Sequence, residues 1–255
     1  MPRISDEIQS VVDNPGPWMI WIYGDMGAGK TVLAAGFPNL LMLDTEGSRR
    51  SLLNHAELVN TQFLPIETYP KFRKAVDEII LNNSEQMKSR EIISVDTVST
   101  LQQKDLNEQM KAISQREMPS QNEYNINNTR IRRSILELKE RSDKNIVLVS
   151  HIKEVQDDMG TTILIRPGNS PSLSDSIASL CDGIFYLSSK TDSKGETTRT
   201  LKCMPGPKIR AKNRFAATLE KDIANPTAKD ILKAIDEQQQ LARQYSEQEY
   251  NNAGN

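Results

Sequence analysis

The apolar residues of this chain fall into short runs that alternate with segments of helical spacing. Four of the runs are short and apolar enough for buried strands, and they lie at residues 19–23, 40–44, 92–95 and 146–149. Apolar side chains spaced three and four apart predict helices over 70–81 and 126–138. This alternation predicts an α/β fold, with a mostly parallel central sheet flanked by helices on both faces.

The pattern changes after residue 151. Residues 154–166 and 183–204 each alternate around a polar, glycine-containing turn, and each predicts a C-terminal antiparallel hairpin. Between them, RPGNSPSLSD at 166–175 is punctuated by proline and serine and predicts a loop. At the end of the chain, the polar segment 238–255 predicts a frayed or disordered tail.

Composition excludes several classes of protein but changes the fold prediction little. The 32 basic and 34 acidic residues nearly cancel, so global charge argues neither for nor against a nucleic-acid partner. No apolar run approaches the roughly 18 residues of a membrane span, and the N-terminus has no apolar core typical of a signal peptide. Cys181 and Cys203 lack CxxC spacing and neighbouring histidines, which is typical of reduced thiols. The sequence therefore predicts a cytoplasmic protein without a membrane partner.

A glycine-rich motif follows the first predicted strand. GDMGAGKT at residues 24–31 fits the phosphate-binding pattern G-x-x-x-x-G-K-[ST]. Glycines let backbone N–H groups converge on phosphate oxygens, and the helix that starts there points its positive end at them. Lys30 can place a cation on the β and γ oxygens, and Thr31 can offer a hydroxyl to Mg²⁺. The predicted cofactors are ATP and Mg²⁺, and the predicted nucleotide-binding residues are Gly24, Asp25, Met26, Gly27, Ala28, Gly29, Lys30, Thr31 and Val32.

Two acidic residues follow later predicted strands. Asp96 ends its strand where P-loop enzymes hold Mg²⁺, so Thr31 and Asp96 are the predicted metal ligands, although Asp96 alone could simply cap a helix. Thr97 stands where many ATPases carry a glutamate that orients the attacking water. Glu46 comes just past the second strand, in LMLDTEGS. Because the carboxyl ends of parallel strands line one edge of a sheet, Glu46 can reach the γ-phosphate and do that work. Residue type alone favours the alternative, in which Glu46 merely opens a surface loop before Gly47.

These motifs together resemble the RecA-like ATPase core: a P-loop, a strand ending in DTE, and a strand ending in VD with a small hydroxyl residue. The likeness runs from about Trp18 to Phe215, includes VLVSH and KNRF, and is similar in particular to a compact, phage-encoded branch linked to recombination and single-strand annealing. It implies that Glu46 is the catalytic glutamate. It also places His151 at the γ-phosphate sensor, a position that is commonly glutamine. On the residues alone, His151 could equally bond a neighbouring backbone group.

The segment KIRAKNR at 208–214 carries a basic residue at every second position. If the segment is extended, all four bases share one face. RecA-like and replicative-helicase families carry a K-x-R element at a comparable place, and Lys212 and Arg214 match its spacing. The resemblance implies that they act in the neighbouring subunit's nucleotide pocket, where a trans arginine stabilises the transferring phosphoryl group. Contact with DNA phosphates and a solvated basic strand edge remain open alternatives.

The resemblance implies a Mg-dependent ATPase acting on single-stranded DNA in phage homologous recombination or annealing. It implies a homo-oligomer, as a ring or a filament, and a single-strand binding protein as a further partner. DNA contacts are expected from Lys111–Asn122 and Ile152–Asp175, although neither is rich in cations or aromatic residues. The implied domains are an N-terminal extension at 1–17, a RecA-like core at 18–218, and a C-terminal helix with a polar tail at 219–255.

Other P-loop functions compete with this interpretation. A small-molecule kinase usually closes an arginine-bearing lid over the phosphates, and no arginine-rich lid is evident in the sequence. A partitioning or regulatory ATPase carries an extra lysine early in the loop, where this chain has Asp25 and Met26. A non-catalytic switch would bind nucleotide without turnover, and replacement of Glu46 would then have no effect.

Overall fold

The computed structural model of the chain describes residues 9–82, 84–113, 118–219 and 221–253. Its helices are α1 (Lys30–Ala35), α2 (Tyr69–Leu81), α3 (Glu85–Lys88), α4 (Val98–Ile113), α5 (Gln121–Arg141), α6 (Pro171–Leu180) and α7 (Ala228–Ala253), with a 3-10 helix at Ser48–Asn54. Its strands are β1 (Met19–Gly24), β2 (Leu40–Asp44), β3 (Gln62–Pro65), β4 (Ile92–Asp96), β5 (Asn145–Ser150), β6 (Ile152–Gln156), β7 (Thr162–Pro167), β8 (Gly183–Thr191), β9 (Thr197–Lys202), β10 (Lys212–Asn213) and β11 (Ile223–Ala224).

The central sheet has the order β11-β9-β8-β1-β5-β4-β2-β3 within the described residues, and β10 also pairs with β8. The strands from β8 to β3 in this order run parallel, whereas β9, β10 and β11 pair antiparallel. The parallel register aligns Tyr23 with Ser150, and Asp96 with both Asp44 and Val149. The carboxyl ends of β1, β2, β4 and β5 therefore share one edge, as the sequence predicts.

The central strands of this sheet are buried throughout because helices cover both of its faces. Alternate residues of β1 point to opposite faces. Trp21 joins a core with side chains of α2, α4, α5 and α6, while Ile22 joins a second core with side chains of α1 and α7. The predicted α/β fold, with a mostly parallel sheet and C-terminal antiparallel hairpins, is confirmed. The hairpins are β6–β7 and β8–β9.

Two sequence predictions about irregular segments are wrong. The expected loop at 166–175 is helical from Pro171, because a proline at the first helical position lacks only an N–H that has no helical partner there. Leu173 and Ile177 then give that helix a buried face, which the serine-rich composition masks. The expected polar tail from 238 is part of α7 as far as Ala253, and residues 254–255 lie outside the described ranges.

Other features bear on the remaining predictions. No helix in the described ranges combines the length and the hydropathy needed to cross a bilayer. Cys181 and Cys203 are buried and unpaired, as expected of reduced thiols. Residues 114–117 of the predicted DNA-contacting segment, and residues 1–8 of the predicted N-terminal extension, lie outside the described ranges. The three-part domain division stays a prediction.

Candidate nucleotide site

The phosphate-binding motif forms a turn between β1 and α1 that only glycines can make. Gly27 and Gly29 have φ angles of 77° and 93°, in the left-handed region that side chains disfavour. At Gly24, a Cβ atom would lie 2.1 Å from the carbonyl oxygen of Leu187 on the adjacent β8. The spacing of these glycines therefore follows from the close approach of β8 and from the reversal of the chain into α1, which begins at Lys30.

Lys30 is buried at the base of this turn. The residue is only 7% exposed, and its Nζ donates a hydrogen bond to the carbonyl oxygen of Asp25 at 2.6 Å. Burial lowers the pKa of Lys30, while the negative charges of Asp96, Glu46 and Asp25 oppose that shift. A cation is thus held beside three acidic side chains, where it can meet phosphate oxygens.

Three polar side chains converge on the buried end of β4. The hydroxyl of Thr31 donates to Oδ2 of Asp96 at 2.7 Å, and the hydroxyl of Ser48 donates to the same oxygen at 3.2 Å. Asp96 is fully buried, and its Oδ1 has no hydrogen-bond partner among the described residues. A hydroxyl and a carboxylate with one unsatisfied oxygen are ligands that fit Mg²⁺. The structure thus brings together the two predicted metal ligands and adds Ser48, which sequence reasoning missed.

The described residues contain no group of three or more His, Cys, Asp or Glu side chains that could hold a metal by themselves. Magnesium at nucleotide sites usually takes one or two protein ligands and fills its remaining positions with phosphate oxygens and water. Thr31 and Asp96 are therefore sufficient as the protein's share of such a site.

Burial raises the pKa of Asp96 to about 6, against the hydrogen bond from Thr31 and with help from the charge of Glu46. An aspartate in an unfolded chain titrates near pH 4, so the folded state holds this proton more tightly. The cost of charging Asp96 is therefore absent below about pH 4 and fully present above about pH 6, and stability falls as the pH rises through this window.

We expect Asp96→Asn to remove this pH dependence. In EDTA, the wild type should lose at most about 3 kcal/mol of unfolding free energy from this group between pH 4 and pH 7, and Asp96→Asn should lose none of it. Urea denaturation at a series of pH values measures the difference. Asp158→Asn, in the exposed turn of the β6–β7 hairpin, is the matched control. Parallel pH curves for the wild type and Asp96→Asn would show that Asp96 is not the titrating group.

Glu46 and His151 contact each other at the mouth of the site. Nε2 of His151 lies 3.3 Å from Oε1 of Glu46, and both side chains are about one-third exposed. The hydrogen bond from His151 lowers the pKa of Glu46 against the effect of burial, and the charge of Lys30 adds to the lowering. The backbone N–H of His151 donates to the hydroxyl of Ser99 at 3.2 Å. The imidazole therefore meets the predicted catalytic carboxylate rather than a backbone group.

A tight turn after β2 aims Glu46 into the site. One carboxylate oxygen of the buried Asp44 accepts the backbone N–H groups of Glu46 and Gly47, at 3.2 and 2.6 Å. Its other oxygen pairs with Arg49 at 2.9 Å. Asp44 thus fixes the backbone of the DTEG turn, and this positions Glu46.

Thr97 has a structural role. Its N–H donates to the hydroxyl of Thr45 at 2.8 Å, and its carbonyl oxygen accepts a hydrogen bond from the same hydroxyl at 2.8 Å. These bonds tie the end of β4 to the end of β2, so the elements that carry Asp96 and Glu46 are fixed to each other.

Comparison with known proteins agrees with this geometry. A family model described as an AAA domain matches residues 16–215. The chain belongs to the AAA domain family. It therefore carries a nucleotide-binding ATPase domain, consistent with the convergence of the motif residues.

Other comparisons are less informative about this AAA domain. No curated protein matches the sequence significantly. Among solved structures, the crystal structure of the RadB recombinase is similar over 75% of this chain and 84% of that chain, with 14% sequence identity and a TM-score of 0.45. A likeness of this size carries no information about ligands or partners.

The predicted row of cations lies along α6 of the AAA domain. Arg210 pairs with Asp175 in the first half of that helix. Nζ of Lys212 donates to two backbone carbonyl oxygens near the end of the helix, at 3.1 and 3.3 Å. Arg214 pairs with Asp182 just beyond the helix at 2.8 Å. Within one chain, the row thus meets the negative end of a helix and two carboxylates.

The register of the sheet places Arg214 away from the phosphate loop of its own chain. Asp182, its partner, also accepts the backbone N–H of Met19 at the start of β1. The phosphate loop follows Gly24, at the other end of β1, about 16 Å further along the strand. This placement keeps the action of Arg214 on another copy of the chain as a prediction.

Proposed function

We propose that this AAA domain is a Mg-dependent ATPase that acts on single-stranded DNA in phage homologous recombination or single-strand annealing. The observation that carries the ATPase assignment is the convergence of Lys30, Thr31, Asp96 and Glu46 at one edge of a parallel sheet. Lys30 and Thr31 belong to the phosphate loop, whereas Glu46 and Asp96 come from two later segments, and the fold brings these three segments together.

Each of these side chains has a distinct task. Lys30 neutralises charge on the β and γ phosphate oxygens, and the backbone N–H groups of the glycine-rich turn hold the same oxygens. Thr31 and Asp96 would hold a Mg²⁺ ion, which would supply further neutralisation of the phosphate charge. Glu46 stays ionised because of its hydrogen bond with His151, so it can accept a hydrogen bond from water and orient it in line with the γ-phosphate.

The DNA assignment rests on the resemblance of the motifs to RecA-like recombination ATPases. The contacts of the β6–β7 hairpin with His151 support this assignment. The N–H of Gly168, at the end of the hairpin, donates to the carbonyl oxygen of His151 at 2.8 Å, and a Cβ on Gly168 would lie 2.8 Å from the carbonyl oxygen of Ile152. DNA bound to this hairpin would therefore be close to the backbone of His151, and the side chain of His151 contacts Glu46. A single-strand binding protein is the further partner that the resemblance implies.

We expect ATP hydrolysis to be slow without DNA and to rise at least about tenfold with a single-stranded oligonucleotide at low salt, because phosphate contacts strengthen as salt is lowered. The measurement is the steady-state ATPase rate during an oligonucleotide titration at two salt concentrations, with the same sequence as duplex for comparison. A rate that is insensitive to the oligonucleotide at low salt would overturn the DNA assignment and leave the ATPase assignment standing.

A further inference from the structure

An arginine outside every recognised motif contacts the phosphate loop. Arg199 lies on β9, and its Nε donates to the carbonyl oxygen of Ala28 at 3.2 Å. A Cβ on Gly29 would lie 2.8 Å from that nitrogen, so the left-handed glycine leaves room for the guanidinium. The terminal nitrogens of Arg199 make no hydrogen bond to any residue that the structure describes. They are therefore available to a ligand.

Arg199 lies at the opposite end of the loop from the metal ligands. In the sheet, β8 and β9 lie on one side of β1, whereas β5, β4 and β2 lie on the other. Asp96 ends β4 and Glu46 follows β2, so the γ-phosphate and Mg²⁺ belong on that side. A triphosphate that spans the loop must then carry its nucleoside toward β8 and β9, where Arg199 is found.

One part of a groove opens on this side. The whole groove has a volume of about 890 Å³, within the range of small-molecule sites, and it extends along α1 to residues that precede β3 and β4, among them His55, Thr61 and Arg90. Near the phosphate loop, its lining residues include Gly29, Val32, Leu187, Thr197, Arg199 and Asn225. Apolar side chains thus line one part of the groove, and a cation and polar groups line another.

The main chain of Arg199 is fixed to the neighbouring strand, while its side chain is partly free. Oδ1 of Asn225 accepts the backbone N–H of Arg199 at 3.0 Å, and the N–H of Asn225 donates to the carbonyl oxygen of Arg199 at 2.7 Å. Asn225 adopts a left-handed conformation, with φ 46°, that makes this reciprocal pair. The guanidinium therefore projects toward the loop from a defined position.

We propose that Arg199 and this groove form the nucleoside subsite, which takes the base and ribose of a nucleoside triphosphate. The proposal rests on the proposed ATPase function and adds the part of the ligand that the P-loop motif does not bind. A planar guanidinium stacks on aromatic rings and carries donors for neighbouring oxygens. Because every base offers such a face, the subsite binds purine and pyrimidine nucleotides with little discrimination.

The test separates the nucleoside from the phosphates. Isothermal titration with Mg²⁺ measures the affinity for ATP and for inorganic tripolyphosphate, which has no nucleoside. Arg199→Ala should weaken ATP binding about tenfold and change tripolyphosphate binding less than about twofold. Arg199→Lys keeps the charge but loses the plane, so its affinity for ATP should be intermediate. Lys190→Ala, an exposed cation on the paired strand β8, should match the wild type for both ligands.

Two results would overturn the subsite. Equal weakening of ATP and tripolyphosphate by Arg199→Ala would mean that Arg199 only positions the phosphate loop. Unchanged ATP affinity, in a variant whose thermal unfolding matches the wild type, would mean that Arg199 does not contact the ligand. Wild-type protein that binds neither ligand would instead overturn the ATPase function itself, so the two failures are distinguishable.

Discussion

Replacing Glu46 with glutamine is expected to lower kcat for ATP hydrolysis about 10²–10³-fold, since a carboxylate that takes or orients a proton contributes this much. The amide of glutamine preserves the size of the side chain but cannot accept a proton from the attacking water. Because Lys30, Thr31 and Asp96 are untouched, the Kd for Mg-ATP should change less than about threefold. Steady-state ATPase rates and a nucleotide titration on the same preparation measure the two quantities.

Glu67→Gln is the matched control for this variant. Glu67 is an exposed carboxylate that pairs with Lys71 near the start of α2, so its replacement should leave kcat unchanged. If Glu46→Gln hydrolyses ATP at the wild-type rate, Glu46 does not orient the water. If the wild type and both variants bind ATP but none of them hydrolyses it, the protein is a nucleotide-dependent switch.

Replacing Arg214 with alanine is expected to lower kcat about 10³-fold, the usual contribution of an arginine supplied to a transferring phosphoryl group. In one chain, Arg214 is more than half exposed and pairs with Asp182, so its loss should have little effect on folding. Arg132→Ala, an exposed arginine on α5, is the control for loss of positive charge. ATPase rates at protein concentrations that permit assembly measure the effect.

Mixing inactive variants tests whether Arg214 acts on another copy. Lys30→Ala has a defective pocket but an intact Arg214, whereas Arg214→Ala has the reverse. In a mixed assembly, an intact pocket can meet an intact arginine, so the rate should exceed the sum of the two separate rates. Rates that simply add would exclude action in trans and favour DNA contact or a solvated strand edge. The position of Arg214 at the far end of β1 from its own phosphate loop makes this result decisive.

Several elements could be predicted from the sequence because each depends on a local signal. The central strands are buried on both faces, so their apolar runs mark them without knowledge of their neighbours. The phosphate loop is a contiguous motif, and its glycines are required by its own backbone. Asp96 and Glu46 could be placed at one edge because parallel strands align their carboxyl ends.

Other features gave no readable local signal. Proline and serine at 166–175 are typical of a loop, yet buried Leu173 and Ile177 stabilise a helix through contacts with other elements. The polar end of α7 is helical although its composition resembles a tail. Ser48 follows a turn that is shaped by Asp44, so its approach to Asp96 depends on tertiary contacts.

The sequence by itself determined an α/β fold and a phosphate loop, and it predicted which residues meet a triphosphate, since these depend on burial and on local backbone geometry. Only the tertiary structure decided what surrounds that loop. Arg199 reaches Ala28 across 171 residues, and His151 reaches Glu46 from just beyond the end of β5. Such contacts depend on which strands lie side by side, and strand order is set by packing of the whole sheet rather than by any single segment.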